Sequence, residues 1–222
     1  MAKIGPYEEH AGEYDGWFAG NRFAYESELR AVGMLLPRPG LGVEIGVGTG
    51  RFAGKLGIRL GVEPSNSMRT IARDRGITVV GGTAEALPFR DGRFDFAVMV
   101  MVLCFFDDPD AALREACRVL KPSGSLVVAF IDRASPLGKK YDARKAESVY
   151  YRQATFHSAG EVAARLKRAG FRTLAFRQTI FGDPGAMAGM DPVRGGSGEG
   201  CFAVVRADKY PLEKQVGMQG DR

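Results

Sequence analysis

The chain has 222 residues, 45% hydrophobic and 26% charged, which is the balance of an ordinary globular domain rather than a disordered, fibrous or disulfide-stapled protein. Lysine and arginine number 31 against 26 acids, and the resulting +5 is spread along the chain, which permits nucleic-acid binding without arguing for it. Phe96 to Phe106, the longest apolar stretch, is about half of the roughly 20 residues a membrane helix needs, so no membrane association is expected. The N-terminus lacks the apolar region of a secretory signal, and Cys104, Cys117 and Cys201 are odd in number and far apart. A reduced, cytoplasmic protein without a metal site is therefore predicted.

In chain order, Glu26 to Leu36 carries Leu29, Val32 and Leu36 at helical spacing, and apolar runs of strand length follow. They are Leu41 to Val47, Ile58 to Val62, Thr78 to Val80, Phe94 to Val102, Ser125 to Ile131, Phe171 to Phe176 and Cys201 to Val205. Helical patterns alternate with them. Ser65 opens a short helix in which Met68, Ile71 and Ala72 share a face and which Gly76 ends. Asp108-Pro109 reads as an N-cap and first-turn pair, with Leu113, Ala116, Cys117 and Leu120 behind it before Lys121-Pro122. Ser158 and Glu161 have the spacing of a capping box, and Gly170 that of a helix C-terminus. Alternating strands and helices predict a doubly wound, Rossmann-like α/β fold with seven mostly parallel strands and helices on both faces. Asp132 to His157 and Gly182 to Gly200 break the alternation and read as insertions of the kind that carry substrate contacts. After Arg206 the apolar content is too low for folding, and a frayed tail is expected.

Gly42 to Ser65, GVEIGVGTGRFAGKLGIRLGVEPS, carries the most chemistry. Gly46, Gly48 and Gly50 alternate at the end of a strand, letting the backbone turn tightly and approach a ligand ahead of a helix. A dinucleotide fold has a similar turn with an acid about 20 residues on, but G-x-G-x-x-G fails from Gly46 because position 51 is arginine; only the looser form ending in alanine is met, from Gly48 to Ala53. Glu44 lies inside an apolar strand, where an unpaired carboxylate is costly, and a cationic ligand would justify it. S-adenosylmethionine has an ammonium, a sulfonium and no phosphate. Glu44 can face its amino end and Glu63 its ribose hydroxyls.

EIGVGTG, GVEPS, GTAEALPF (82–89), FDFAV (94–98) and RVLKPSG (118–124), in this order, resemble the class I S-adenosylmethionine-dependent methyltransferases, in the ubiquinone/menaquinone biosynthesis or type 11 branch. The resemblance covers residues 10 to 131 well. It implies that Thr83, Ala84 and Glu85 lie against the adenine, although many relatives have aspartate at Thr83. Pro64 follows the ribose acid, Met68 is an apolar wall for the adenine or plain core, and the backbone at Val100 and Met101 approaches the methionine moiety. Where relatives commonly show a histidine pair, this chain has Cys104 and Phe105, so no histidine base is expected there. The lead-in Glu13-Tyr14-Asp15-Gly16-Trp17 resembles the family segment that folds over the cofactor, with Tyr14 facing the sulfonium. The layout implied is a single domain over 1–206, with a lid in 1–37, a cofactor core in 41–131 and a substrate side in 132–206, followed by the tail 207–222.

Tyr14, Cys104, Asp132 and His157 are the acceptor-side candidates, with Arg133, Tyr141 and Tyr151 in or beside the insertion. In-line methyl transfer from a sulfonium needs orientation more than a dedicated base. The predicted function is transfer of a methyl group from S-adenosylmethionine to a small molecule, leaving S-adenosylhomocysteine. A nucleic-acid methyltransferase is the main alternative; Val98 to Met101 lack the Asn/Asp-Pro-Pro-aromatic motif of enzymes acting on base amines, so nucleic acid is not the expected acceptor. A nicotinamide-dependent oxidoreductase and a non-catalytic binder of the cofactor are the other readings.

Overall fold

A computed structural model describes residues 4–37 and 39–210. Three N-terminal helices, α1 (Gly5–Glu9), α2 (Ala11–Gly20) and α3 (Arg22–Leu35), precede the sheet. Then follow β1 (Gly42–Ile45), α4 (Arg51–Leu56), β2 (Leu60–Val62), α5 (Asn66–Asp74), β3 (Thr78–Val80), β4 (Phe94–Val100), α6 (Pro109–Val119) and β5 (Leu120–Ile131). The remaining elements are α7 (Pro136–Arg144), α8 (Ala159–Arg168), β6 (Phe171–Thr179), β7 (Arg194–Gly195) and β8 (Phe202–Lys209).

The strands form one sheet in the order β3-β2-β1-β4-β5-β8-β6-β7. β1 to β5 are parallel, while β8 runs antiparallel between β5 and β6. This is the expected Rossmann-like architecture with one addition: β7, a two-residue strand on the edge of β6, brings the number to eight. Buried side chains form a core on each face, one around Val98, Val127 and Val204 and the other around Ala97, Val128 and Val205, as period-two strands covered on both sides require.

The caps read from sequence are present. Ser65 Oγ accepts the Met68 N–H at 3.2 Å, an Asp108 carboxylate oxygen accepts the Ala111 N–H at 2.9 Å, and the Ser158–Glu161 capping box is complete. Several boundaries differ. β5 begins at Leu120 rather than Ser125, because Leu120 pairs with Phe94 across a register shift, so Lys121-Pro122 lies within the strand. β8 runs to Lys209, past the expected start of the tail, because Ala207 and Asp208 pair with Leu126 and Ser125. The rest of that tail, 211–222, lies outside the described residues. The first insertion contains α7, capped by Ser135 Oγ accepting the Gly138 N–H at 3.0 Å.

β1 and β4 are adjacent, and the chain winds from them toward opposite edges of the sheet. That reversal opens a crevice beyond their carboxyl ends, which is where ligands bind in open α/β sheets.

Candidate active site

One cavity of about 840 Å³ occupies this crevice, toward the upper end of the range for small-ligand sites. Its floor is made by the turns after the parallel strands: Gly46 to Thr49 after β1, Glu63 and Pro64 after β2, Gly82 to Glu85 after β3, and Met101 after β4. Gly46 has φ of +71°, and a Cβ there would sit 2.6 Å from Val102 Cγ1, so the turn requires glycine. Met101 (φ +57°) and Ile180 (φ +60°) are the non-glycine residues with positive φ among those described. Both line the cavity, and a β-branched residue such as Ile180 rarely adopts that backbone.

Two carboxyl groups are built into the floor. Glu63, 7% exposed, accepts the Gly48 N–H at 3.0 Å on one oxygen and the Ser65 N–H at 2.9 Å on the other, binding the glycine turn to the start of α5. Burial pushes its pKa up, while those N–H donors and Arg69 oppose the rise. Glu44, on β1 and 2% exposed, has one carboxyl oxygen with no partner. Burial pushes its pKa up to about 8, helped by the nearby charge of Glu63 and opposed by the Ala53 N–H. An orphaned, desolvated carboxyl lining a cavity is the feature that an incoming ammonium group would complete. Met68 at the start of α5, with Thr83, Ala84 and Glu85, walls the same end, and Glu85 is held by accepting the Asp107 N–H at 3.1 Å.

The N-terminal helices close over this floor through ionic latches. Glu8 accepts hydrogen bonds from the Ser65 hydroxyl at 2.6 Å and the Ser67 hydroxyl at 3.2 Å. Asp15 receives Arg51 and Arg75, each at 2.6 Å, and these two guanidinium groups hold its carboxyl well below the usual range against the opposing effect of burial. α1 and α2 thereby place Tyr7 and Tyr14 in the cavity. Tyr7 packs edge-on against Tyr14 (ring centroids 5.5 Å apart) and Phe105 (5.2 Å), and Phe105 stacks on Tyr151 at 6.1 Å. Tyr141 meets Tyr151 at 6.0 Å. Burial pushes the Tyr7, Tyr14 and Tyr151 hydroxyls well up, so all three stay neutral and offer aromatic faces and O–H donors rather than bases.

Residues 43–128 match the family model of a methyltransferase domain. A crystal structure from Thermotoga maritima, described as a methyltransferase dependent on S-adenosylmethionine and a possible histamine N-methyltransferase, superposes with a TM-score of 0.91 at 50% identity, covering 93% of this chain and 99% of that one. The chain belongs to the class I S-adenosylmethionine-dependent methyltransferases. Its cofactor is S-adenosylmethionine. An uncharacterized protein of Methanocaldococcus jannaschii is 43% identical over 203 residues, covering 91% of the methyltransferase and 98% of that protein. The ubiquinone/menaquinone biosynthesis C-methyltransferase of Vibrio vulnificus is 36% identical over 124 residues, 48% of each chain.

Of the cofactor residues anticipated in the methyltransferase, Tyr14, Glu44, Gly46, Gly48, Glu63, Pro64, Met68, Thr83, Ala84, Glu85, Val100 and Met101 all line the cavity. Gly50 does not. It caps α4 with φ of +79°, and its Cα faces Ala72 and Ile77, where a Cβ would crowd both at 3.2–3.3 Å. Of the acceptor-side candidates, Cys104, Asp132 and His157 also lie outside the cavity lining. Cys104 is buried in the core beside Met101. Asp132 Oδ1 accepts the Ala134 and Ala159 N–H groups at 3.0 and 3.2 Å, joining the end of β5 to the start of α8. His157 pairs with Asp132 as a β-bridge, its ring buried and its pKa lowered by burial. Tyr141 and Tyr151 do reach the cavity, and Trp17 lines its edge while 40% exposed.

Sequence reasoning missed Tyr7 and Glu28. Tyr7 sits in a five-residue helix whose pattern is too short to read. Glu28 was readable in principle, being one turn after Ala24 and one turn before Ala31 and Val32, and so on the buried stripe of α3.

Proposed function

We propose that this methyltransferase transfers the methyl group of S-adenosylmethionine to a small-molecule acceptor held in the tyrosine-lined end of the cavity. The observation that carries this reading is the continuity of one cavity from the Gly46–Thr49 turn to Tyr141, Tyr150 and Tyr151, under a cover formed by α1 and α2. The cofactor supplies a methyl group already activated by a sulfonium charge. Glu63 would take the ribose hydroxyls on lone pairs left beside its two N–H donors, and Glu44 would receive the ammonium end. Pro64, Met68, Thr83, Ala84 and Glu85 would enclose the adenine, and the Val100–Met101 backbone would border the methionine portion. Tyr14 lines the same cavity, where an aromatic face would attract a sulfonium and exclude water. What remains for the protein is to hold the acceptor in line at about 3 Å, and such orientation alone lowers the barrier by roughly 7–11 kcal/mol.

The Thermotoga relative is described as a possible histamine N-methyltransferase, and that description supports a small-molecule acceptor here. The test is incubation of the protein and methyl-labelled S-adenosylmethionine with fractionated metabolites and, separately, with total RNA. Label in a low-molecular-weight fraction is expected. Label confined to RNA would overturn the acceptor class.

A further inference from the structure

Three carboxyl groups in the cavity lining have no place in the proposed cofactor site: Glu147 is paired with Arg144, Asp183 accepts the Gly185 N–H, and Glu28 is left. It is 8% exposed, it lines the cavity, and no hydrogen bond or ion pair to its carboxyl is found among the described residues. Burial alone pushes its pKa up to about 8. Its charge is felt by Tyr14, Tyr141, Tyr151 and Cys201, whereas the carboxylate that acts on Glu44 is Glu63. α3 packs against β6, β8 and the turn at 184–186, and Ser27 Oγ beside Glu28 accepts the Asp191 N–H at 2.9 Å, so Glu28 lies on the side of the cavity lined by Ile180 to Pro184, Cys201 and Phe202.

We infer that Glu28, together with the rings of Tyr14, Tyr141 and Tyr151, is the recognition site for an acceptor carrying a basic nitrogen. This rests on the small-molecule methyltransferase reading above. A carboxyl group isolated in an apolar wall is costly to ionise, and an ammonium brought alongside removes that cost by pairing with it. Tyrosine faces add attraction for the same cation, and their hydroxyls stay neutral donors. A neutral or anionic acceptor brings no positive charge to offset the cost of ionising Glu28. At the cavity mouth, Arg144 pairs with Glu147 and Lys145 with Asp142, so two of the three basic side chains there are already neutralised, Lys140 being the third.

The titratable groups sharing the field of Glu28 are Tyr14 on α2, Tyr141 on α7, Tyr151 and Cys201. All are pushed up by burial and remain neutral near pH 7. From the other elements packed on α3, Arg51 is paired with Asp15, and Asp183 caps its own turn by accepting the Gly185 N–H. Glu28 is thus the group that ionises when an ammonium arrives, releasing a proton.

The experiment is calorimetry and ligand-observed NMR on the protein saturated with S-adenosylhomocysteine. The probes are about ten small amines, from ethylamine to phenethylamine and histamine, each with its alcohol or carboxylate analogue. At least one amine is expected to bind while its analogues do not, with proton release at pH 7 seen as a dependence on buffer ionisation enthalpy. Glu28→Gln is expected to lose tenfold or more in amine affinity and to keep S-adenosylhomocysteine affinity within about threefold. Tyr141→Leu is expected to weaken the amine severalfold, and Tyr141→Phe to leave it nearly unchanged. The proposal is overturned if analogues bind as well as amines, if no amine binds at millimolar concentration, or if Glu28→Gln retains amine binding. Should Glu28→Gln not fold, proton release by the wild-type protein decides, and its absence overturns the proposal. Failure of the wild-type protein to bind S-adenosylhomocysteine would instead strike the underlying methyltransferase reading.

Discussion

The two ends of the cavity are built in different ways. The end proposed to hold the cofactor is made of turns that follow parallel strands, Gly46 to Thr49 after β1, Glu63 after β2 and Thr83 to Glu85 after β3. Within it a carboxylate far along the chain braces a glycine turn, since Glu63 holds the Gly48 N–H. The proposed acceptor end is drawn from α1 and α2, from Glu28 on α3, from the 136–151 insertion and from Ile180 to Phe202, segments with no local signature in common. A site set by the turns of a repeating βα unit can be recognised from its spacing. A site set by docking separate segments depends on how they pack.

The largest effect should come from the brace at the cofactor end. Glu63→Ala removes an acceptor of two backbone N–H groups as well as the proposed ribose contact. With charged hydrogen bonds worth about 1.5–3 kcal/mol each, S-adenosylhomocysteine affinity should fall about 30-fold or more by calorimetry. An unchanged affinity would place the cofactor elsewhere. Glu44→Gln should weaken the same ligand about tenfold. It should also change the pH profile of the ligand-free protein. Because the folded pKa of about 8 lies above the usual value near 4.3, the group contributes stability below about pH 4.3 and loses it as pH rises toward 8. The melting temperature of the wild-type protein should therefore decline across that window, and that of Glu44→Gln less so.

Next in size is the ion-pair cluster that ties α2 to Arg51 on α4 and to Arg75 at the end of α5. Asp15→Asn leaves Arg51 and Arg75 without their carboxylate in a partly buried position and should cost about 1–3 kcal/mol after allowance for solvent. Hydrogen exchange should quicken in α1 and α2 ahead of the sheet. Equal protection of helices and sheet in the variant would show that the lid is held by packing alone. The smallest effect belongs to residues that the structure places off the cavity. His157→Gln should alter turnover less than about twofold, since its ring lines neither end of the cavity. A larger loss of kcat with unchanged stability would restore it to the acceptor site.

The limits of sequence reading follow the same division. Glu44 was legible because an acid inside the apolar strand GVEI needs a reason, and Glu63 because it closes the next strand. Three alternating glycines look alike in sequence, whereas in the structure Gly46 turns at the cavity and Gly50 packs on α5. Asp132 and His157 stand in the sequence at the edge of the insertion, and only the structure shows that they bridge to each other and that Asp132 ties the end of β5 to the start of α8. Glu28 went unread because one acid on a mostly apolar helical stripe is a weak signal until its surroundings are known.

By itself, then, the sequence determined the doubly wound sheet, its caps and the cofactor turn, because strand period, capping chemistry and glycine spacing act over a few residues. Only the tertiary structure decided which tyrosines gather, that Glu28 is buried among them and that three polar candidates lie outside the cavity. Those outcomes depend on the close approach of segments more than 100 residues apart in the chain, as with Tyr150, whose hydroxyl donates to the His10 carbonyl at 3.3 Å. No local rule carries that information.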